Sequence, residues 1–310
     1  MSSTHEHIEG SGHGHTHGPS DSSRAFVWGV ALNLGFVAVE WLFGVMANSL
    51  ALIADASHNL GDVLGLVLAW GAAALARRGP SARFTYGMRS STILAALANA
   101  VVLLVVTGGI GWEALLRFRH PSTVDEHTVI WVALVGILIN GATAMLFMAG
   151  RDADLNIRGA FLHMAADAAV SLGVVVAGVG MLITRWAWLD TAVSLAIVAI
   201  ILWSTAALLR DALRLALQAV PDGIDPAQVH RYLSTQPGVT EVHDLHIWAM
   251  STTETALTAH VVMPAGHPGD DFLAELGASI ERQFGIAHTT VQVETGSGSQ
   301  ACALAPEHVV

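Results

Sequence analysis

Residues 50–76 read LALIADASHNLGDVLGLVLAWGAAALA, an apolar run broken by few polar side chains. An α-helix needs about 20 such residues to cross the hydrocarbon core of a bilayer, so this run is long enough. Within it, Asp55, His58 and Asp62 are the side chains that can carry charge. Ionisable groups at membrane depth cost several kcal/mol each and usually serve a function. The stretch therefore predicts a membrane-spanning helix that carries a polar site.

Five further apolar stretches have a similar length. The composition agrees with a chain that lies largely in lipid: 53% of its 310 residues are hydrophobic, 13% are charged and the mean hydropathy is +0.55. A soluble domain usually carries about 25% charged residues. The sequence thus predicts an α-helical membrane protein with six transmembrane helices. The other five spans are placed at 25–47, 91–116, 128–149, 156–184 and 187–209.

The arginines between the spans predict the orientation. One set of helix ends is rich in them: Arg24, Arg77, Arg78, Arg83, Arg89, Arg151, Arg158, Arg210 and Arg214. The opposite ends hold Arg117, Arg119 and Arg185. The arginine-rich side is expected to be cytoplasmic. Both termini are then predicted inside the cell, in a multi-pass protein of the inner membrane.

Beyond Arg210 the apolar runs stop, and residues 211–295 read as a small cytoplasmic α/β domain. Asp225-Pro226 is a helix start, and Ser251–Thr253 allows a hairpin. The predicted order is αββαβ, a ferredoxin-like arrangement, with strands at 239–250, 254–263 and 289–294 and a second helix at 270–284. Residues 25–210 form the transmembrane domain in this interpretation, and residues 1–24 and 296–310 are polar, flexible tails.

A repeated pair carries the chemistry. His58 and Asp62 lie four residues apart in the second span, and His163 and Asp167 lie four residues apart in the fifth. This spacing puts each pair on one helix face. Two such faces together offer two imidazoles and two carboxylates, a four-coordinate shell suited to Zn²⁺. The alternative is that these residues pair with each other across helices as packing contacts.

Other polar residues of the spans have smaller predicted roles. Asp55, three residues before His58, could accept a hydrogen bond from that imidazole and fix its tautomer, or could simply be a helix-end carboxylate. Glu40 and Asn33 share a face of the first span. They are interpreted as interhelical hydrogen-bonding residues, with proton relay as the alternative.

Two further histidine groups suggest metal binding outside the membrane. The N-terminal tail carries His5, His7, His13, His15 and His17, a pattern typical of a flexible metal buffer. In the C-terminal domain, a hairpin centred between Ser251 and Thr252 would place His243 opposite His260, close enough to share a metal. The single cysteine, Cys302, excludes a cage of several thiolates. The net charge of −11 argues against nucleic-acid partners.

At these motifs the chain resembles the cation diffusion facilitator family, in particular its bacterial zinc and cobalt–zinc–cadmium resistance branch. The resemblance covers nearly the whole chain. It is carried by NSLALIADASHNLGD at 48–62, by Asn156 with His163 and Asp167, by VHDLHIW at 242–248 and by HTTVQVE at 288–294.

The resemblance implies a homodimer that exchanges metal for protons by alternating access, without enzymatic activity. It implies that His58, Asp62, His163 and Asp167 form the transport site for Zn²⁺. Aspartate in place of the first histidine goes with broader cadmium use in the family. The resemblance also implies a regulatory Zn²⁺ site in the cytoplasmic domain. The family's ligand positions correspond to His243, His260, Gln292 and Glu294, and His267 is a looser match.

The chain also departs from other members of the family that it resembles. Gln292 stands where some have histidine, and the loop from Arg77 to Arg89 lacks the Asp and His that bind a second metal in others. Many relatives have Arg-Ala-Glu where this chain has Ser90-Ser91-Thr92. Three alternatives remain open: the same fold carrying Mn²⁺ or Fe²⁺, a membrane metalloenzyme, and a membrane metal sensor without flux.

Overall fold

The computed structural model describes residues 34–120, 122–148, 155–297 and 302–305. Within these ranges six apolar helices come first in the chain. Five are long and apolar enough to cross a membrane, and the described part of the remaining one is shorter. The helices are α1 (Leu34–Met46), α2 (Leu50–Ala76), α3 (Ser91–Arg119), α4 (Glu126–Met148), α5 (Leu155–Thr184) and α6 (Trp188–Ala216). Six apolar helices were predicted, and this part of the fold class is confirmed.

The outward faces of these helices are covered by large apolar side chains. Trp70, Leu146 and Trp203 are 72%, 75% and 84% exposed. In water an apolar surface of this extent would drive association, whereas lipid solvates it at no cost. The distribution therefore fits helices that lie in a bilayer and whose backbone groups bond within each helix.

The start of α2 is held by two other helices. Asn48 adopts a left-handed backbone conformation with φ of 54°, which turns the chain between α1 and α2. Ser49 caps α2 and donates its hydroxyl proton to Asp190 in the first turn of α6, while the Leu50 N–H donates to the same carboxylate at 2.8 Å. Arg117 of α3 donates to the Asn48 carbonyl at 2.8 Å. These bonds fix the position of α2 two turns before His58.

Close packing continues beside the polar pair of α2. A Cβ atom added to Gly61 would collide with the Leu103 side chain of α3. The glycine thus lets α3 approach α2 next to Asp62. The buried core of the six helices consists mainly of small and β-branched residues: Ala47, Ala51, Leu52, Ala54, Val129, Ala133, Val174, Ile197, Val198 and Ile201.

The C-terminal unit has the predicted αββαβ order. Its elements are α7 (Pro226–Ser234), β1 (Glu241–Ala249), β2 (Thr255–Val262), α8 (Asp270–Phe284) and β3 (His288–Glu294). The sheet order is β1-β2-β3, with β1 antiparallel and β3 parallel to β2. Both helices bury apolar residues against the sheet, among them Val229, Leu233, Leu276 and Ile280.

The C-terminal unit also touches the loop that joins α2 and α3. Arg89 forms an ion pair with Glu254 in the β1–β2 turn. Beside it, Ser90 donates to the Met250 carbonyl at 3.2 Å, and the Thr252 N–H donates to the Thr92 hydroxyl at 3.1 Å. Thr92 stands where many relatives were expected to have a glutamate, and here hydroxyl contacts of Ser90 and Thr92 connect the two units.

Several predictions fall on parts of the chain outside the described residues. They concern residues 1–33, with the five N-terminal histidines and Asn33, residues 149–154, with Arg151, and residues 298–301 and 306–310 of the C-terminal tail. The tail residues Cys302–Ala305 are described and form a turn in which the Ala305 N–H donates to the Cys302 carbonyl at 3.1 Å.

Candidate functional site

The two His–Asp pairs meet where α2 and α5 pass each other in opposite directions. Asp55 of α2 accepts a hydrogen bond from Ser171 of α5 at 3.1 Å. Further along, the pair His58 and Asp62 lies against the pair His163 and Asp167. The i,i+4 spacing keeps each pair on the face turned toward the other helix. All four sequence-predicted residues are therefore brought together.

Distances within this quartet approach those of a tetrahedral shell. Asp62 Oδ2 lies 3.2 Å from His163 Nε2 and 3.8 Å from His58 Nε2. The Asp167 oxygens lie 3.7 Å from His163 Nε2 and 3.9 Å from His58 Nε2. Four N and O ligands held about 2.0–2.1 Å from a central Zn²⁺ stand about 3.3–3.4 Å apart. The four imidazole–carboxylate distances thus lie within about 0.6 Å of the edges of such a shell.

Two carboxylate oxygens of the quartet have no hydrogen bond to the part of the chain that the structure describes. Asp62 Oδ2 and Asp167 Oδ2 are buried atoms with no hydrogen bond among the described residues. The side chains are nonetheless partly open, since His58 is 23% exposed, Asp62 34% and His163 43%, whereas Asp167 is 3% exposed. Buried carboxylate oxygens without donors are costly unless a cation or proton compensates them. The quartet is thus a candidate cation site that remains accessible.

A second layer of buried polar groups lies behind the quartet. Asp55 is 1% exposed and links α2 to α5 through Ser171. The expected hydrogen bond from His58 to Asp55 is not made, and His58 Nδ1 has no partner within the described ranges. Glu40 of α1 is fully buried beside Asp55 and Asn59, but neither of its carboxylate oxygens has a hydrogen bond among the described residues, so the interhelical hydrogen bond predicted for it is not seen.

A separate cluster lies on the sheet of the C-terminal unit. His243 of β1 pairs with His260 of β2, as the predicted hairpin register required. Glu294 at the end of β3 reaches both rings, with Oε1 3.0 Å from His260 Nδ1 and Oε2 3.5 Å from His243 Nε2. The two histidine side chains are 7% and 11% exposed. Three of the predicted C-terminal ligands therefore converge.

The other two predicted C-terminal residues have different positions. Gln292 lies beside His260 in the parallel register and donates a hydrogen bond to Glu294 at 3.0 Å, so it can orient that carboxylate. His267 is outside the cluster, because its Nδ1 accepts the Gly269 N–H at 3.1 Å in the turn before α8.

Two residues near this cluster were not predicted from sequence. Cys302 places its Sγ 3.6 Å from His260 Nδ1. Asp244 sits at an irregularity of β1 with φ of 50° and brings its carboxylate 3.4 Å from His260 Nε2. Cys302 is 42 residues from His260 in the chain, so no local spacing connects the two. Asp244 lies at a bulge, which interrupts the alternation of side chains along β1, so strand periodicity does not predict its direction.

Local charges and hydrogen bonds lower the pKa of Glu294, the glutamate of this cluster. Burial raises the pKa of Glu294, but hydrogen bonds with Cys302 and Gln292 and the nearby rings of His243 and His260 outweigh it. The pKa of Glu294 is consequently lower than usual, and the carboxylate is ionised at neutral pH. An ionised carboxylate beside two imidazoles is a donor set suited to divalent transition metals.

Family models match both parts of the chain. The model of the cation efflux transmembrane domain matches residues 27–215. The model of the cytoplasmic domain of cation efflux proteins matches residues 221–296. Together they include the quartet and the histidine cluster of the sheet.

Curated relatives match over nearly their full length. The metal cation efflux system protein CzcD of Cupriavidus metallidurans is 37% identical over 293 residues, which is 94% of this chain and 92% of that protein. The zinc transporter ZitB of Escherichia coli is 34% identical over 287 residues, 91% of each chain. The cadmium, cobalt and zinc/H(+)-K(+) antiporter of Bacillus subtilis is 30% identical over 287 residues, 91% of this chain and 92% of that one. The chain therefore belongs to the cation diffusion facilitator family of metal cation efflux transporters.

Proposed function

We propose that this protein exports Zn²⁺ from the cytoplasm in exchange for protons, and that it also accepts Co²⁺ or Cd²⁺. His58, Asp62, His163 and Asp167 hold the ion during transport. The protein works by alternating access in the inner membrane, as a homodimer with both termini in the cytoplasm. The C-terminal match to a dimerisation domain and the arginine-rich helix ends support this arrangement.

The observation that carries the proposal is the meeting of the two His–Asp pairs between α2 and α5. Asp62 Oδ2 lies between two imidazole nitrogens, at 3.2 Å and 3.8 Å, and is bound by no donor among the described residues. Packing alone would not favour such an arrangement, because two carboxylates and two imidazoles among apolar helices are costly to desolvate. A dication would compensate both carboxylates at once.

The donor set favours Zn²⁺ over harder ions. Two imidazoles and two carboxylates suit Zn²⁺, whereas Mn²⁺ and Mg²⁺ prefer shells built mainly of oxygen. Co²⁺ takes the same ligands as Zn²⁺. The relatives named as a zinc transporter and as a cadmium, cobalt and zinc antiporter agree with this range of substrates.

Proton exchange follows from the chemistry of the same ligands. Zn²⁺ binds neutral imidazole and ionised carboxylate, so its arrival displaces protons from His58, His163 and their neighbours. When the site faces the side of lower pH, protonation of the imidazoles weakens the shell and releases the ion. The same residues thereby bind the metal ion and protons in turn.

The outer metal groups have auxiliary roles in this proposal. The sheet cluster of His243, His260 and Glu294 binds Zn²⁺ as a regulatory ion. The N-terminal histidines, which lie outside the described residues, supply local metal concentration to the cytoplasmic entrance.

Transport by purified protein in sealed vesicles tests the proposal. With an imposed pH gradient, we expect Zn²⁺, Co²⁺ and Cd²⁺ to move against the proton flow, and Mn²⁺ to move far more slowly. Asp211 on α6 is exposed, so Asp211→Asn serves as the matched control for Asp62→Asn. Metal binding without flux would indicate a sensor, and faster Mn²⁺ than Zn²⁺ flux would contradict the assigned shell.

A further inference from the structure

The cysteine of the C-terminal tail lies at the histidine cluster of the sheet. His243, His260, Glu294 and Cys302 each direct one donor atom to a common point, and these atoms lie within 4.8 Å of one another. The Cys302 Sγ to His260 Nδ1 distance is 3.6 Å. Thiolate and imidazole ligands of one tetrahedral Zn²⁺, at about 2.3 and 2.05 Å, stand about 3.6 Å apart.

The cluster contains a buried histidine, His243, whose ring nitrogens make only longer contacts with Glu241 and Glu294. The side chain of His243 is 7% exposed, and neither ring nitrogen has a hydrogen bond among the described residues. Its Nε2 is directed toward Glu294 at 3.5 Å. A buried ring with two unsatisfied nitrogens is costly, and metal coordination would satisfy one of them.

The neighbouring histidine is oriented for coordination. Asp244 Oδ2 lies 3.4 Å from His260 Nε2, on the side of the ring opposite to Glu294 and Cys302. This carboxylate favours the tautomer with a proton on Nε2, which leaves the Nδ1 lone pair directed at the cluster. Carboxylate support of this kind is typical of histidines that bind metals.

We propose that Cys302 is a thiolate ligand in this C-terminal site, which takes Zn²⁺ or Cd²⁺ with His243, His260 and Glu294 as the other ligands. The thiolate and the glutamate together balance the charge of the dication. Binding then fastens residues 302–305 of the tail to the open face of the sheet. This inference rests on the proposed function only in that the regulatory ion of the C-terminal domain is also the transported ion.

Co²⁺ titration of the full-length purified protein tests the inference directly. Co²⁺ adopts the geometry of Zn²⁺, and a thiolate ligand gives it a charge-transfer band in the near ultraviolet. Since Cys302 is the single cysteine of the sequence, any such band reports this residue. We expect the band to saturate at one Co²⁺ per subunit, to disappear in Cys302→Ser and to be lost on addition of excess Zn²⁺.

Three further variants separate this site from the transport site. His243→Ala should strongly weaken the band, whereas His267→Ala, an exposed histidine of the same domain, should leave it unchanged. Asp62→Asn should abolish Zn²⁺ flux and keep the Co²⁺ band. Flux therefore tests the transport site and the band tests the Cys302 site, so the two proposals can fail independently. A wild-type protein that binds Co²⁺ without the band, or a band that persists in the His243→Ala, His260→Ala double variant, overturns the inference.

Discussion

The quartet between α2 and α5 and the cluster on the C-terminal sheet use similar residues in opposite ways. In the quartet, three of the four side chains are 23% to 43% exposed, and each helix contributes two ligands at i,i+4 spacing. In the sheet cluster, the histidines are 7% and 11% exposed, and Asp244 and Gln292 restrain their neighbours. Closed, well-supported zinc sites are typical of structural roles, and open ones of exchange. The difference teaches that histidine and carboxylate content alone does not determine how accessible and how well supported a cluster is.

The largest effect is expected from removing a charge of the quartet. Asp62→Asn or Asp167→Asn leaves a dication with one anionic ligand, and breaking a buried charge pair costs about 3–5 kcal/mol. That cost is more than about 100-fold in affinity, so Zn²⁺ flux in vesicles should fall to the level of protein-free controls. The variants should remain dimeric by size-exclusion chromatography, and Asp211→Asn should transport normally. Near-normal flux in either aspartate variant would remove the quartet from the mechanism.

A change of selectivity comes next in size. His58→Asp should keep Zn²⁺ transport and raise the ratio of Cd²⁺ to Zn²⁺ flux severalfold. Imidazole gives one short, directed bond, whereas a carboxylate can bind through one oxygen or two and adds a negative charge. The larger Cd²⁺ benefits more from that looser shell. An unchanged or lower ratio with flux intact would mean that residue 58 does not set selectivity.

Loss of a sheet ligand should have a smaller effect on transport. His243→Ala or His260→Ala should lower the affinity of the C-terminal site by about tenfold or more. Zn²⁺ flux should slow only in part, because the quartet is intact. His267→Ala is the matched control for both measurements. If these variants stopped transport completely, the sheet cluster would belong to the transport path itself, and the contrast between the two regions would fail.

The smallest effect is expected from the N-terminal tail. Deletion of residues 2–22 should raise modestly the Zn²⁺ concentration that gives half-maximal flux and leave the maximal rate near that of the wild type. A flexible chelating segment raises local concentration without altering the site itself. Complete loss of transport would show that the tail is part of the machinery.

Sequence reasoning located the elements well wherever periodicity or hydropathy marks them. The predicted span 50–76 coincides with α2, and the predicted helix 270–284 coincides with α8. The sixth span was predicted at 187–209, because the apolar run ends before Arg210. The helix itself, α6, continues to Ala216. A helix can leave the lipid and continue in water, so charge marks the membrane boundary and not the helix end.

Contacts that depend on tertiary structure were not predicted from the sequence. The pairing of His243 with His260 followed from the centre of a hairpin, which is a local feature. Asp190 binds the start of α2 from 140 residues away, and Cys302 reaches the sheet from a polar tail. Neither position carries a repeat, a spacing or a turn signal. Such contacts are set by how helices and strands pack, which the order of residues does not reveal.

The contact between the C-terminal unit and the α2–α3 loop limits how that unit can move. The unit is attached covalently through the end of α6 and non-covalently through Arg89, Ser90 and Thr92 to the β1–β2 turn. Tyr86 of the same loop also packs edge-on against His288 of β3, with ring centroids 5.5 Å apart. A unit held at several separate points cannot rotate freely about its covalent attachment. Any wider rotation must first break the Arg89–Glu254 ion pair or carry the first turn of α3 with it.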